Sequence, residues 1–191
     1  MQIQTKIKTN NCPYFRRNIK LWREHILSIK SNLILIKGKS GIGKSTLLKS
    51  LKSYYGKNSI LVGGKFNVFE GTLEENILLG RKFNGDLNSY LEELFSKESR
   101  LKDKKVLISN STLSSGQIQR IALLRDIIIS KNKIILFDEP TSALDRSSEL
   151  VISRFLYQKA EQMRIKKLII VTHSSKLEKF MCGAKIVNLR T

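Results

Sequence analysis

An α/β fold with a mostly parallel sheet and flanking helices is predicted from three features of this 191-residue sequence. Short apolar blocks, among them Leu33-Ile34-Leu35-Ile36, Ile134-Ile135-Leu136-Phe137 and Leu168-Ile169-Ile170-Val171, have the length and unbroken hydrophobicity of strands buried on both faces. Segments of helical periodicity alternate with these blocks, the order of crossover connections between parallel strands. A glycine-punctuated loop, Gly38 to Ser45, stands between the first block and a helical segment, an arrangement that suits a phosphate cradle.

The elements follow in chain order. Leu33 to Lys37 reads as a buried strand, and Thr46 to Tyr54 as a helix with Leu47, Leu48 and Leu51 on one side. Ser59 to Val62 is a short strand closed by Gly63-Gly64. Thr72 opens a helix, with Glu75 completing a capping box. Residues Gly80 to Asn110 are polar, with a helix around Leu87 to Phe95, and read as a small helical subdomain. Ser115 to Ser130 is a helix, Ile134 to Phe137 a strand, Ser147 to Met163 a helix and Leu168 to Val171 a strand. Ser175 to Phe180 and Lys185 to Leu189 close the chain as helix and strand. The whole, 1–191, is expected to form one domain, with a core of 1–79 and 118–191 and the helical subdomain at about 80–117.

Composition narrows the class. The apolar share of 41% and charged share of 27% are ordinary for a globular protein. No apolar run approaches the roughly 20 residues that span a bilayer, and no apolar signal core follows Lys6 and Lys8. Work at a membrane therefore requires a partner. The net charge of +19 has two readings: attraction to phosphate-rich partners, or a lysine-rich composition scattered without a dense basic stripe. The two cysteines, Cys12 and Cys182, lack metal-ligand spacing and fit a reducing, cytosolic setting.

The loop Gly38-Lys39-Ser40-Gly41-Ile42-Gly43-Lys44-Ser45 matches G-x-x-x-x-G-K-[ST]. Its glycines let backbone N–H groups turn toward phosphate oxygens, and the next helix points its positive end at the anion. Lys44 suits the β- and γ-phosphates, and the Ser45 hydroxyl suits Mg²⁺. These eight residues with Thr46 are the candidate ATP-binding set. The strand at Ile134 delivers Asp138 and Glu139 to its C-terminal edge, where open α/β sheets bind ligands. It is expected to adjoin the phosphate-loop strand. Asp138 suits the Mg²⁺ shell and Glu139 the activation of water. His173 follows the next strand, which is expected to lie beside the carboxylate strand, and suits the γ-phosphate.

Three further runs resemble one family, the ABC ATPases. Leu113-Ser114-Ser115-Gly116-Gln117 is close to its signature L-S-G-G-Q and continues Ile118-Gln119-Arg120-Ile121-Ala122-Leu123. Ile134 through Asp145, ending Pro140-Thr141-Ser142-Ala143-Leu144-Asp145, resembles its Walker B strand and D-loop. Val171-Thr172-His173 resembles its switch histidine. The resemblance implies a RecA-like P-loop NTPase fold carrying the signature on its helical subdomain. It implies hydrolysis of Mg-ATP to ADP and phosphate, with Glu139 and His173 catalytic. It also implies a head-to-tail dimer, in which Ser114, Ser115, Gly116, Gln117 and Asp145 reach the ATP of a second ABC ATPase subunit. A transmembrane transporter subunit would be the other partner, placing the chain on the cytoplasmic face of the membrane. Val68-Phe69-Glu70-Gly71-Thr72-Leu73-Glu74-Glu75-Asn76-Ile77 resembles exporter-type domains in particular.

In that family an aromatic residue upstream of the phosphate loop stacks on adenine. Tyr14 is the candidate, with Phe15 and Trp22 as alternatives and a core aromatic as the competing reading. Three departures stand out. Gly64 falls where exporter domains carry a glutamine, Ile108-Ser109-Asn110-Ser111-Thr112 replaces an acidic stretch, and Ser115 replaces the first signature glycine. Two other functions stay open: a soluble ABC ATPase acting on nucleic acid or ribosomes, which the span between phosphate loop and signature disfavours, and a degenerate cassette that binds ATP as a regulator.

Overall fold

The computed structural model describes residues 12–63, 66–130, 133–142, 144–162 and 165–190, with side chains excepted at 12–17 and 160–162. Five strands form the main sheet: β1 (Leu33–Lys37), β2 (Ser59–Val62), β5 (Ile134–Asp138), β6 (Lys167–Val171) and β7 (Lys185–Asn188). Their order is β2-β5-β6-β1-β7 and every pairing is parallel. The predicted α/β class with a mostly parallel sheet is the observed one. One expectation is corrected: β5 does not adjoin β1, because β6 lies between them and pairs with both.

Alternation along the strands builds two cores. Ile34, Ile36, Leu136, Ile169 and Val171 face a cluster closed by α1 (Cys12–Ser28) and α2 (Lys44–Tyr55). Leu35, Ile135, Phe137, Leu168 and Ile170 face the opposite cluster, which takes side chains from α3 (Leu73–Leu78), α4 (Leu87–Leu94), α5 (Ser115–Ile129), α6 (Arg146–Gln162) and α7 (Ser175–Phe180). Each such side chain, fully buried, stabilises the fold by about 1.5–3 kcal/mol relative to exposure. A strand sandwiched between helix layers needs apolar residues at every position, which is why these blocks are unbroken.

No element is expected before Leu33, yet α1 occupies that place. Ile19, Trp22 and Ile26 recur at helical spacing and are buried, a signal that three residues in a strongly charged segment make faint. Trp22, at 2% exposed, belongs to this core and is removed from the adenine-stacking candidates. Tyr14 lies in α1, but its side chain and that of Phe15 are outside the described part.

Two boundaries carry physical meaning. Helix α2 begins at Lys44, not Thr46, so the phosphate loop runs straight into the helix. Helix α3 starts as expected, with Thr72 Oγ1 accepting from Glu75 N and the Glu75 carboxylate accepting from Thr72 N. Two short strands, β3 (Gly71–Thr72) and β4 (Leu107–Ile108), pair antiparallel and tie the start of α3 to the segment after α4. Helix α4 packs on α6, where Lys159 Nζ lies 2.8 Å from Glu93 Oε2 and 4.5 Å from the Tyr90 ring centre.

Candidate functional site

Strand register gathers the candidate residues. Ile36 pairs with Val171 and Val171 with Asp138, so β1, β6 and β5 end level. The loops that leave them are the phosphate loop, the segment at His173 and the turn at Glu139. All three therefore open on one edge of the sheet, the edge at which such sheets bind ligands.

Within the phosphate loop, Ile42 is buried in the α1/α2 core and anchors the turn, while Lys39, Ser40, Gly41, Ser45 and Thr46 are exposed. Gly43 is the N-cap of α2 with φ 105°, a left-handed conformation that favours glycine. It offers no side chain to the helix, and no side-chain cap bond is present. By contrast, Thr72, Asp86, Ser114 and Ser174 cap α3, α4, α5 and α7. The first N–H groups of α2 are thus left for an anion. Lys44 is only 6% exposed and bends back across its own loop, donating to Gly38 O at 2.9 Å and Lys39 O at 3.0 Å. A buried ammonium beside uncapped amides concentrates positive potential at this point.

The carboxylate turn is strongly determined. Glu139 has φ 53°, a conformation that costs a non-glycine residue of order 1–3 kcal/mol and persists only where its surroundings enforce it. Glu139 N donates to Val171 O at 3.0 Å. Glu139 O accepts from Ser142 N at 3.2 Å and Ser142 Oγ at 3.1 Å. The buried Gln119 donates to Pro140 O at 2.5 Å. Held this way, Glu139 Oε1 lies 3.4 Å from His173 Nε2, with both side chains open to solvent. Thr172 N donates to Ile36 O, which fixes the His173 segment to β1.

Asp138, at the end of β5, is half-buried. Gly63 lies so near that a Cβ added there would stand 2.8 Å from Asp138 Cβ. We expect Gly63→Ala to displace Asp138 and to destabilise the fold by about 1–3 kcal/mol, read as a lower urea midpoint with reduced ATP turnover. An unchanged midpoint and turnover would show that the two strands part at no cost. Gly64, the departure noted above, is outside the described residues.

The signature residues sit at the start of α5. Ser114 Oγ accepts from Gln117 N at 3.2 Å, and Gln117 Oε1 accepts from Ser114 N at 2.9 Å. Ser115 begins the helix. A Cβ at Gly116 would meet Leu144 at 3.6 Å, so the start of α5 abuts the segment before α6 in its own chain. Among the described residues, no hydrogen bond joins Ser114–Gln117 to the phosphate loop. Asp145 faces the start of α6, where its carboxylate accepts from the hydroxyls and amides of Ser147 and Ser148. These bonds, the Ser147 hydroxyl foremost, hold it well below the usual carboxylate range.

The donors fit Mg²⁺ that arrives on phosphate. Asp138 and the exposed Ser45 hydroxyl leave the same edge. Among the described residues no three His, Cys, Asp or Glu side chains are grouped to hold a metal by themselves. A hard cation with one or two protein ligands and the balance from phosphate and water is the usual Mg²⁺ arrangement. Gln119, Gly63 and Glu149 carry no local sequence signal as contributors; their roles depend on contacts between distant elements.

Known proteins bear on the same region. The family described as "ABC transporter" matches residues 60–142. An uncharacterized ABC transporter ATP-binding protein of Haemophilus influenzae is 29% identical, over 90% of this chain and 35% of that protein. The phosphate import ATP-binding protein PstB of Staphylococcus saprophyticus is 32% identical, over 90% of this chain and 75% of its own. A probable ABC transporter ATP-binding/permease protein of H. influenzae is 33% identical, over 77% of this chain and 31% of its own. The chain thus spans about a third of the two H. influenzae proteins and three quarters of the phosphate-import protein.

Proposed function

This chain belongs to the ATP-binding proteins of ABC transporters, a family of ATPases, and on that premise we propose that it hydrolyses Mg-ATP to drive export through a separate transmembrane subunit. The observation that carries the catalytic part is the meeting of the phosphate loop, Glu139 and His173 at one sheet edge, with Glu139 Oε1 3.4 Å from His173 Nε2.

The backbone amides of Gly38 to Thr46 and the ammonium of Lys44 grip the triphosphate. Ser45 and Asp138 would hold a Mg²⁺, which would supply charge neutralisation on the phosphate oxygens. Glu139 takes the proton of the attacking water. His173 contacts the γ-phosphate beside Glu139, and hydrolysis leaves ADP and phosphate. Tyr14 stacks on adenine. Residues 80–117 serve as the helical subdomain, presenting Ser114, Ser115, Gly116 and Gln117, with Asp145 behind them, to the nucleotide of a second ABC ATPase subunit.

No helix among the described residues is long and apolar enough to cross a membrane. A transmembrane partner would hold the chain on the cytoplasmic face. The run Val68 to Ile77 supports export. Similarity to a protein named for phosphate import favours the opposite direction. The test is capture of the tagged chain from detergent-solubilised membranes, followed by reconstitution with ATP outside the vesicles. Export predicts a co-purifying membrane protein and accumulation in the lumen of the solute that stimulates turnover; release of preloaded solute would establish import. Absence of a membrane partner, with turnover stimulated by nucleic acid and a steep salt dependence, would replace the transporter reading.

A further inference from the structure

The first turn of α6 reaches across to the segment that carries His173. Glu149 lies one turn after Asp145, with Glu149 N donating to Asp145 O at 2.9 Å. Its carboxylate grips two residues of the neighbouring element. Glu149 Oε1 accepts from Ser174 Oγ, and Glu149 Oε2 accepts from Lys176 Nζ at 2.7 Å. Ser174 immediately follows His173 and is also the N-cap of α7, where its hydroxyl accepts from Lys176 N and Leu177 N. Ser174 N donates to Thr172 Oγ1 at 2.9 Å. Both residues flanking His173 are therefore fixed, Thr172 to β1 and Ser174 to α6.

Glu149 is itself nearly buried, with a side-chain exposure of 14%. Burial works to raise its carboxyl, but the hydrogen bonds from Lys176 and Ser174 together outweigh it, and the group stays ionised below the usual glutamate range. A largely covered ion held by two partners on one short segment is a rigid link. An open imidazole on a loop needs such a link to keep a set distance from its partner.

We propose that Glu149 is a positioning residue for hydrolysis: through Ser174 and Lys176 it holds His173 against Glu139, and it joins that histidine to the Asp145 turn on one helical rung. The proposal rests on the roles given above to Glu139 and His173. Because Asp145 immediately precedes α6 and is bonded to Glu149 in its first turn, any movement of the Asp145 turn is carried to the histidine of the same chain.

Two measurements on the full chain test it. In steady-state turnover, Glu149→Ala is expected to lower kcat roughly 10- to 100-fold, as a small displacement of a catalytic group does, with KM for ATP changed less than about twofold. Glu149→Gln keeps an acceptor for Ser174 and is expected to recover most of that loss. In a His173→Ala background, Glu149→Ala is expected to cost nothing further. Equal losses in both backgrounds, or a glutamine variant as slow as the alanine one, would overturn the proposal. The second measurement needs no turnover. The His173 ring resonance should respond to Glu139→Gln in the wild type and cease to respond once Glu149 is alanine; a response that persists in Glu149→Ala sinks the link. A wild type without ATPase activity would instead refute the catalytic reading, and the resonance test would still decide the positioning role.

Discussion

Glu139→Gln is expected to lower ATP turnover by roughly 10²–10⁴-fold, the contribution of a positioned general base, while ATP binding persists. Glutamine is isosteric and inherits the same backbone, including the φ of 53° that four hydrogen bonds around residues 139 and 140 impose. What changes is basicity: an amide oxygen does not take a proton from water at neutral pH. If the second-subunit interface closes on ATP and opens on hydrolysis, the same variant should accumulate an ATP-dependent dimer that is visible by gel filtration. Phosphate release and nucleotide retention, measured on one preparation, check both halves. Turnover within about threefold of wild type would remove Glu139 from the general-base role.

Lys44→Ala should abolish retention of Mg-ATP at millimolar concentration and lower turnover by about 10²–10³-fold, the cost of one preorganised charge donor. The side chain is buried at 6% exposure and already directed across the loop onto Gly38 O and Lys39 O. Alanine removes the charge and leaves both carbonyls without that donor. The loop hangs from Ile42, which stays in the core, so the fold should persist with a stability loss of about 1–3 kcal/mol. Equilibrium binding of a fluorescent ATP analogue, with thermal melting of the same samples, separates lost affinity from lost fold. Wild-type affinity in the variant would mean that the amides alone hold the nucleotide.

Much of this was legible in the chain itself. Buried strands between helix layers cannot alternate polar and apolar residues, so β1, β5 and β6 announce themselves as unbroken runs. Thr72 and Glu75 have one local reason for their spacing, and the capping box they predict is formed; Ser114 and Gln117 form a second one. Helix α1 was harder to see, because only Ile19, Trp22 and Ile26 face inward. Trp22 then reads equally well as a ligand platform or as core, and burial chose core.

The sequence by itself determined the α/β class and singled out the phosphate loop, the acids and the histidine as candidates, because each rests on residues close together in the chain. Only the tertiary structure decided that β6, expected beside β5, also separates it from β1, and that Glu139 Oε1 comes within 3.4 Å of His173 Nε2. It alone joined Glu149 to Ser174, Gln119 to Pro140 and Gly63 to Asp138. Such contacts depend on which strands pair and how helices pack over them. Local periodicity records how far each element buries itself but not which neighbour it meets.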